Sequence, residues 1–314
     1  MAFTADKVRQ GVQQAAAGGG DRGVAHGGRG ITSNYNNTIE YITISTTSNA
    51  NSFGNVYQSR AECNGSSNGP NDRGWMAGGQ YSGSKGSSIE YVTISTTGNS
   101  SSFGDMNTAM GSIAGTSNRT NERAIMAGDN ARAKTIEYFT MSSTGNASDF
   151  GNLTSGRFRF AATCNGTNER AVFSGKEYPT SNVQDYITIN STGNASSFGT
   201  LTLSRGYLGG TSNLTNDRGV QAGGYNGSGT IYNTIDYHTI SSTGSCTDFG
   251  DLLGNSWGQC STSNGTNERA VFMGNRSSPK TEMEYFTIST TSNATDFGDM
   301  TNDRWQGAGY SDGG

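Results

Sequence analysis

The chain has 314 residues, 47 of them glycine and only 3 proline, with 21 basic against 25 acidic residues for a net charge of −4. That near-neutral balance argues against nucleic acid as the main partner, since phosphate binding needs a basic face, and no apolar run is long enough to cross a membrane. A composition dominated by Gly, Ser, Thr and Asn leaves either an unstructured polymer or an all-β protein of short strands and tight turns.

The opening stretch, MAFTADKVRQGVQQAAAGGG, lacks the continuous apolar run of a secretory signal. Phe3, Val8 and Val12, with Ala15 and Ala16, mark one side of a short helix that begins after Thr4 as N-cap and ends in a glycine joint. Such a helix is too short to be stable alone. Residues 1–20 are therefore expected to form an arm that docks on a partner or self-associates into a homo-oligomer.

Beyond residue 20 a motif recurs. An acid–Arg pair opens a β-rich run at Asp21, Asp72, Glu122, Glu169, Asp217 and Glu268. A second run carries an acid–Tyr pair, first in IEYITIST from Ile39, with acids Glu40, Glu90, Glu137, Asp185, Asp236 and Glu284. Phe-Gly marks a third run at Phe53, Phe103, Phe150, Phe198, Phe249 and Phe297, 47 to 51 residues apart. A fourth ends in Ser-Asn or Cys-Asn before the next acid–Arg pair, as in GYLGGTSN from Gly206. Six copies of so marked a pattern reject disorder, and four short β runs between Gly/Ser/Asn turns are the content of one propeller blade. The acid–Tyr run is apolar at both parities (Ile39, Tyr41, Ile42, Ile44), which suits a sheet packed on both faces by its neighbours. The motif is entered at its second strand, and the C-terminal part finishes with a lone first strand, Arg304 to Tyr310. That strand is expected to complete the N-terminal blade and leave no open edge. The predicted fold is all-β: a six-bladed β-propeller over 21–314, with four antiparallel strands per blade.

The blades resemble kelch repeats of the galactose-oxidase type. Gly27-Gly28, Gly78-Gly79 and Gly223-Gly224 match the double glycine that ends strand two, whereas Gly128-Asp129, Ser174-Gly175 and Gly274-Asn275 are degenerate. The strand-three tyrosine is present from Tyr41 to Tyr285, and phenylalanine replaces the strand-four tryptophan. The copper chemistry of that family needs His, Tyr and Cys together and does not carry over, for want of suitably placed histidines. The turn signatures T-G-N-A-S-D-F-G and T-S-N-x-T-N-E-R are similar to those of repeat proteins from marine bacteriophage virions. That resemblance implies a virion component assembled in the host cytoplasm.

What recurs six times is expected to be structural, so the acid–Arg pairs and strand-three acids are read as inter-blade ion pairs and backbone hydrogen bonds. In a meander the 2–3 and 4–1 connections share one face of the disc. Both sets are read as differing in length and chemistry, from QYSGSKGSS at Gln80 to LTLSRGYL at Leu201. The face they form is expected to display Tyr57, Tyr81, Phe158, Tyr178, Tyr207, Tyr225, Tyr232, Trp257 and Trp305 beside Arg60, Arg157, Arg159, Arg205 and Arg304. Aromatic rings flanked by Arg, Asn and Ser suit sugars and protein surfaces.

Catalysis has little to stand on. The only histidines, His26 and His238, lie inside predicted strands, and no zinc, phosphate-loop, nucleophile-elbow or calcium motif occurs. Cys63, Cys164, Cys246 and Cys260 occupy different repeat positions and read as free thiols. No metal or cofactor is expected. The expected function is that of a non-enzymatic appendage, fibre or decoration protein, anchored to other virion proteins through residues 1–20 and turning its variable face to a cell-surface glycan or protein. A carbohydrate-active enzyme and an intracellular protein-interaction propeller are the alternatives.

Overall fold

The computed structural model describes residues 20–30, 34–277 and 281–313, so the arm residues Phe3, Val8 and Val12 lie outside the described residues. Within that range the chain forms six four-stranded antiparallel sheets and one small hairpin, Gln80–Tyr81 with Ser84–Lys85. One blade shows the plan: an inner strand Asn64–Ser67, then Arg73–Ala77, Ser88–Thr93 and an outer strand Ser101–Asp105. The inner strands Asn64–Ser67, Ala114–Ser117, Ala161–Cys164, Gly209–Ser212, Cys260–Ser263 and Ala308–Ser311 neighbour one another in a closed ring. The chain is a six-bladed β-propeller.

Closure is as the repeat count requires: Ala308–Ser311 pairs antiparallel with Arg22–His26, Gly23 opposite Ser311 and His26 opposite Ala308. The closing strand begins later than Arg304, because Arg304 turns inward to an ion pair and Trp305 bonds to Arg29 of the adjoining loop.

The apolar core lies between blades. One cluster joins Trp75, Ile89 and Phe103 of one blade to Met126, Phe139 and Met141 of the next, which is why the third strand is apolar at both parities. Glycine and alanine keep the sheets close enough for so small an apolar fraction to suffice.

Phe-Gly marks a β-bulge that recurs in every blade. Ile39 faces Gly54 and Glu40 faces Ser52, leaving Phe53 as the extra residue; the same shift occurs in the other five. The freed phenylalanine packs edge-on to the strand-three tyrosine, as Phe53 on Tyr41 and Phe103 on Tyr91. Its glycine is required for a different reason. A Cβ on Gly54 would lie 2.1 Å from the carbonyl oxygen of Gly98, in the 3–4 turn of the next blade, and Gly104 meets Gly145 at the same 2.1 Å.

The acid–Arg pairs form no ion pairs among the described residues, contrary to the expectation. The acid sits in a left-handed turn (Asp72 φ 70°, Glu122 φ 69°). Its carboxylate accepts from neighbours, Asp72 from the Ser95 N–H and Glu122 from the Asn68 side-chain amide of the preceding blade. The arginine instead lies over its own blade's tyrosine, Arg73 over Tyr91 at 4.6 Å, and donates to a carbonyl of the next blade, Met141 O at 2.6 Å. The pairs are structural, as repetition implied, but they act through cation–π and backbone contacts.

Gly54→Ala is expected to cost about 1–3 kcal/mol, because backbone must yield to the new methyl. Gly98→Ala, whose Cβ meets nothing within 4 Å, should shift stability by less than about 0.5 kcal/mol. Urea denaturation followed by fluorescence measures both; equal midpoints would contradict the close-approach argument.

Candidate functional site

The connections from each outer strand to the next inner strand differ in residue but not in length, which corrects the sequence reading. Glu62, Ser112, Arg159, Tyr207, Gly258 and Gln306 each lie nine residues after the phenylalanine of Phe-Gly. All six have left-handed backbone, φ between 54° and 73°. That torsion turns each peptide toward the axis, where the six form a closed ring of backbone hydrogen bonds. Ser112 N donates to Glu62 O (2.7 Å), Arg159 N to Ser112 O (2.9 Å) and Tyr207 N to Arg159 O (2.6 Å). Gly258 N then donates to Tyr207 O (2.9 Å), Gln306 N to Gly258 O (2.5 Å) and Glu62 N to Gln306 O (2.8 Å).

One residue earlier, each connection bonds backbone to backbone with the 2–3 loop of the blade it leads into. Ala61 meets Gln80, Gly111 meets Asn130, Phe158 meets Glu177, Gly206 meets Tyr225, Trp257 meets Arg276 and Trp305 meets Arg29. Both variable loop sets therefore share one face, and their inner residues surround the axial opening.

The side chains on this scaffold are unevenly distributed. Ala61, Gly111 and Ser112 leave one side low, while an aromatic–arginine arc occupies the other. Arg159 lies 4.5 Å from the Tyr207 ring, Tyr207 stands edge-on to Trp257 at 4.6 Å, and Tyr225 lies 5.0 Å from Trp257. The Arg276 guanidinium lies 4.3 Å from the Trp257 ring and 4.5 Å from the Trp305 ring, and Arg29 approaches Trp305 at 5.8 Å. At the centre a cavity of about 50 Å³ is lined by Glu62, Ser112, Arg159, Tyr207, Gln259 and Gln306. Glu62 is engaged by Arg159 (3.2 Å), Arg29 (3.5 Å) and the Ser112 hydroxyl, and Arg159 also holds Glu177 at 2.6 Å. Gln306 is 8% exposed, yet neither its Oε1 nor its Nε2 bonds to protein, and Gln259 Oε1 is likewise unmatched. Buried amides of this kind call for a polar partner.

Of the residues singled out from sequence, Phe158, Arg159, Tyr207, Tyr225, Trp257 and Trp305 come together in this arc. Tyr57 is 85% exposed and stands outside it. Tyr178, 64% exposed, stacks on Arg132 at 4.8 Å; Tyr81 lies in the small hairpin, and Tyr232 is half-buried, its N–H bonded to Gly224 O. Arg60, Arg157, Arg205 and Arg304 are not displayed at all: each is 0% exposed. They are the inter-blade ion pairs, Arg60 with Glu90, Arg157 with Asp185 (2.7 Å), Arg205 with Asp236 (3.0 Å) and Arg304 with Glu40 (3.6 Å). Their guanidinium groups also satisfy buried carbonyls, as Arg205 does for Gly223 and Thr234. Sequence reasoning missed Glu62, Ser112, Gln306, Arg29, Glu177 and Arg276; the constant nine-residue offset was the signal that could have found the rim.

All four cysteines are free. Burial pushes the Cys63 and Cys246 thiols up to about 12 and pulls His238 down to about 3, so these groups are neutral near pH 7.

Two blades lack the buried arginine, with Met110 and Ser256 in its place. Their strand-three acids lose their counter-charge, and burial raises both Glu137 and Glu284, the latter to about 7 despite the Leu253 N–H donated to it. A carboxyl whose folded pKa lies above its unfolded value stabilises the fold below about 4.5 and loses that contribution as pH rises through about 7. Relative to Glu284→Gln, the native protein is expected to lose up to about 3 kcal/mol across this interval. Denaturation midpoints against pH for the two proteins test this, and parallel profiles would contradict it.

No protein-family model matches this sequence, and no curated protein matches it, so the chemistry of the loop face is the basis for assigning a role.

Proposed function

We propose that this protein is a non-enzymatic structural and binding protein of a bacteriophage virion, an appendage, fibre or decoration component whose loop face contacts a host-surface glycan or protein. The observation that carries the binding half is the aromatic–arginine arc beside an unmatched, buried Gln306 amide. Aromatic faces suit the C–H surface of sugar rings, and convergent amides and guanidinium groups suit their hydroxyls. The half-buried Trp257 and Tyr225 offer that surface on a rigid scaffold, because their backbones are tied into neighbouring blades. The two carboxylates of the arc, Glu62 and Glu177, are both engaged by Arg159, an arrangement that favours binding over hydrolysis, which would need them free to act on a substrate. The virion half rests on the similarity of the turn signatures to phage virion repeats, with residues 1–20 as the attachment to other virion proteins.

A glycan array followed by titration tests the face. Trp257→Ala is expected to weaken binding by about 30-fold or more, a loss of about 2 kcal/mol, while the variant remains folded at the temperature of the assay. Unaltered binding would remove the arc from the site, and release of sugar products would favour the carbohydrate-active enzyme. Deleting residues 1–20 is expected to abolish incorporation into particles; a truncated chain that still incorporates would sink the anchor.

A further inference from the structure

At the opposite end from the loop face, the inner strands are tied by hydroxyls. Ser117 Oγ donates to Ser67 O (2.7 Å), Ser212 to Cys164 O (2.6 Å), Ser263 to Ser212 O (2.7 Å), Ser311 to Ser263 O (2.5 Å) and Ser67 to Ser311 O (2.5 Å). The next residue but one begins a tight left-handed turn, filled by Gly69, Gly166 and Gly265 in three blades. Two blades place bulk there instead, Arg119 (φ 56°) and Leu214 (φ 53°), at a backbone cost of about 1 kcal/mol each.

Arg119 borders an axial cavity of about 90 Å³, whose walls also carry Ser66, Thr116, Thr163, Thr211 and Thr262. Its side chain is buried, with one guanidinium nitrogen on Ser67 Oγ (2.5 Å) and another on the Ser311 carbonyl (3.3 Å). Arg119 Nε and Thr262 Oγ1 have no partner. Among the described residues Arg119 forms no ion pair, unlike the four buried arginines of the blade interfaces, and the Asp312 carboxylate accepts instead from the Arg22 N–H (2.8 Å). A buried cation facing only neutral oxygens is costly unless an anion joins it.

We propose that the axial cavity is a binding site for a small inorganic anion, held by the Arg119 guanidinium and the hydroxyl-bearing inner strands. Its volume suits a halide or a compact oxyanion. The site is separate from the loop face and stands whether or not that face binds glycans.

The test uses the full chain and the variant Arg119→Gly, which restores the residue three other blades use. Thermal midpoints are compared in chloride, sulfate and phosphate against gluconate at equal ionic strength. The native protein is expected to gain several degrees in at least one small anion, with the preferred anion identified by the comparison. Arg119→Gly is expected to lose that gain and to be at least as stable in gluconate. An identical anion dependence in both proteins would overturn the proposal. A second readout covers a variant that fails to fold: chloride-35 resonance broadening by the native protein, reversed by a tighter small anion. Absence of broadening together with absence of any anion-specific shift would also overturn it.

Discussion

Six peptide groups around the axis of the loop face bond nose to tail, and the rest of the molecule is arranged to let them. The ring from Glu62 to Gln306 uses only backbone atoms. It requires left-handed torsion at every member, a constant run from each Phe-Gly bulge to the axis, and blades pressed together closely enough for the run to reach. The last condition explains the bulge glycine, whose missing Cβ admits the turn of the next blade. Because the bonds are made by backbone, the side chains at these positions are released from structural duty. Only Gly258 is the residue that the torsion favours. At the other five positions a strained conformation, worth about 1 kcal/mol each, carries an acid, a hydroxyl, an arginine, a tyrosine and an amide around one opening.

The same division runs through the electrostatics. Four blade junctions are locked by an arginine wholly removed from solvent and matched to a strand-three acid. Breaking such a pair from one side is severe, about 3–5 kcal/mol. Two junctions omit the arginine and leave Glu137 and Glu284 without a counter-charge. The ring therefore closes with two of these ion pairs missing, whereas the bulge glycine is present in all six blades. Arg119 is the reverse case, a cation placed where three other blades have a left-handed glycine.

Much of this was legible in the sequence. Phe-Gly, acid–Tyr and acid–Arg recur because each solves the same packing problem in every blade, and counting them gave the blade number and the closing strand. The rim was hidden because its determinant is a torsion angle and six different side chains share it. Arg60, Arg157, Arg205 and Arg304 were misplaced on the surface although they share a repeat position, seven residues after the Phe-Gly phenylalanine. The logic that assigned repeated residues to structure applied to them too, but two absent copies broke the pattern. The aromatic residues were found as a population, yet only contact geometry separates Trp257, Trp305, Tyr207 and Tyr225 from the outlying Tyr57 and Tyr178.

The most direct measurement of the account is amide hydrogen exchange at the six rim positions, resolved residue by residue. If the ring closes the propeller, the amides of Glu62, Ser112, Arg159, Tyr207, Gly258 and Gln306 exchange as slowly as those of the inner strands. Glu62 is decisive, because its amide donates to the Gln306 carbonyl and so joins the N-terminal and C-terminal parts of the chain. Exchange at Glu62 as fast as in the exposed 3–4 turns would contradict the closed ring and the separation of structural backbone from functional side chain that depends on it.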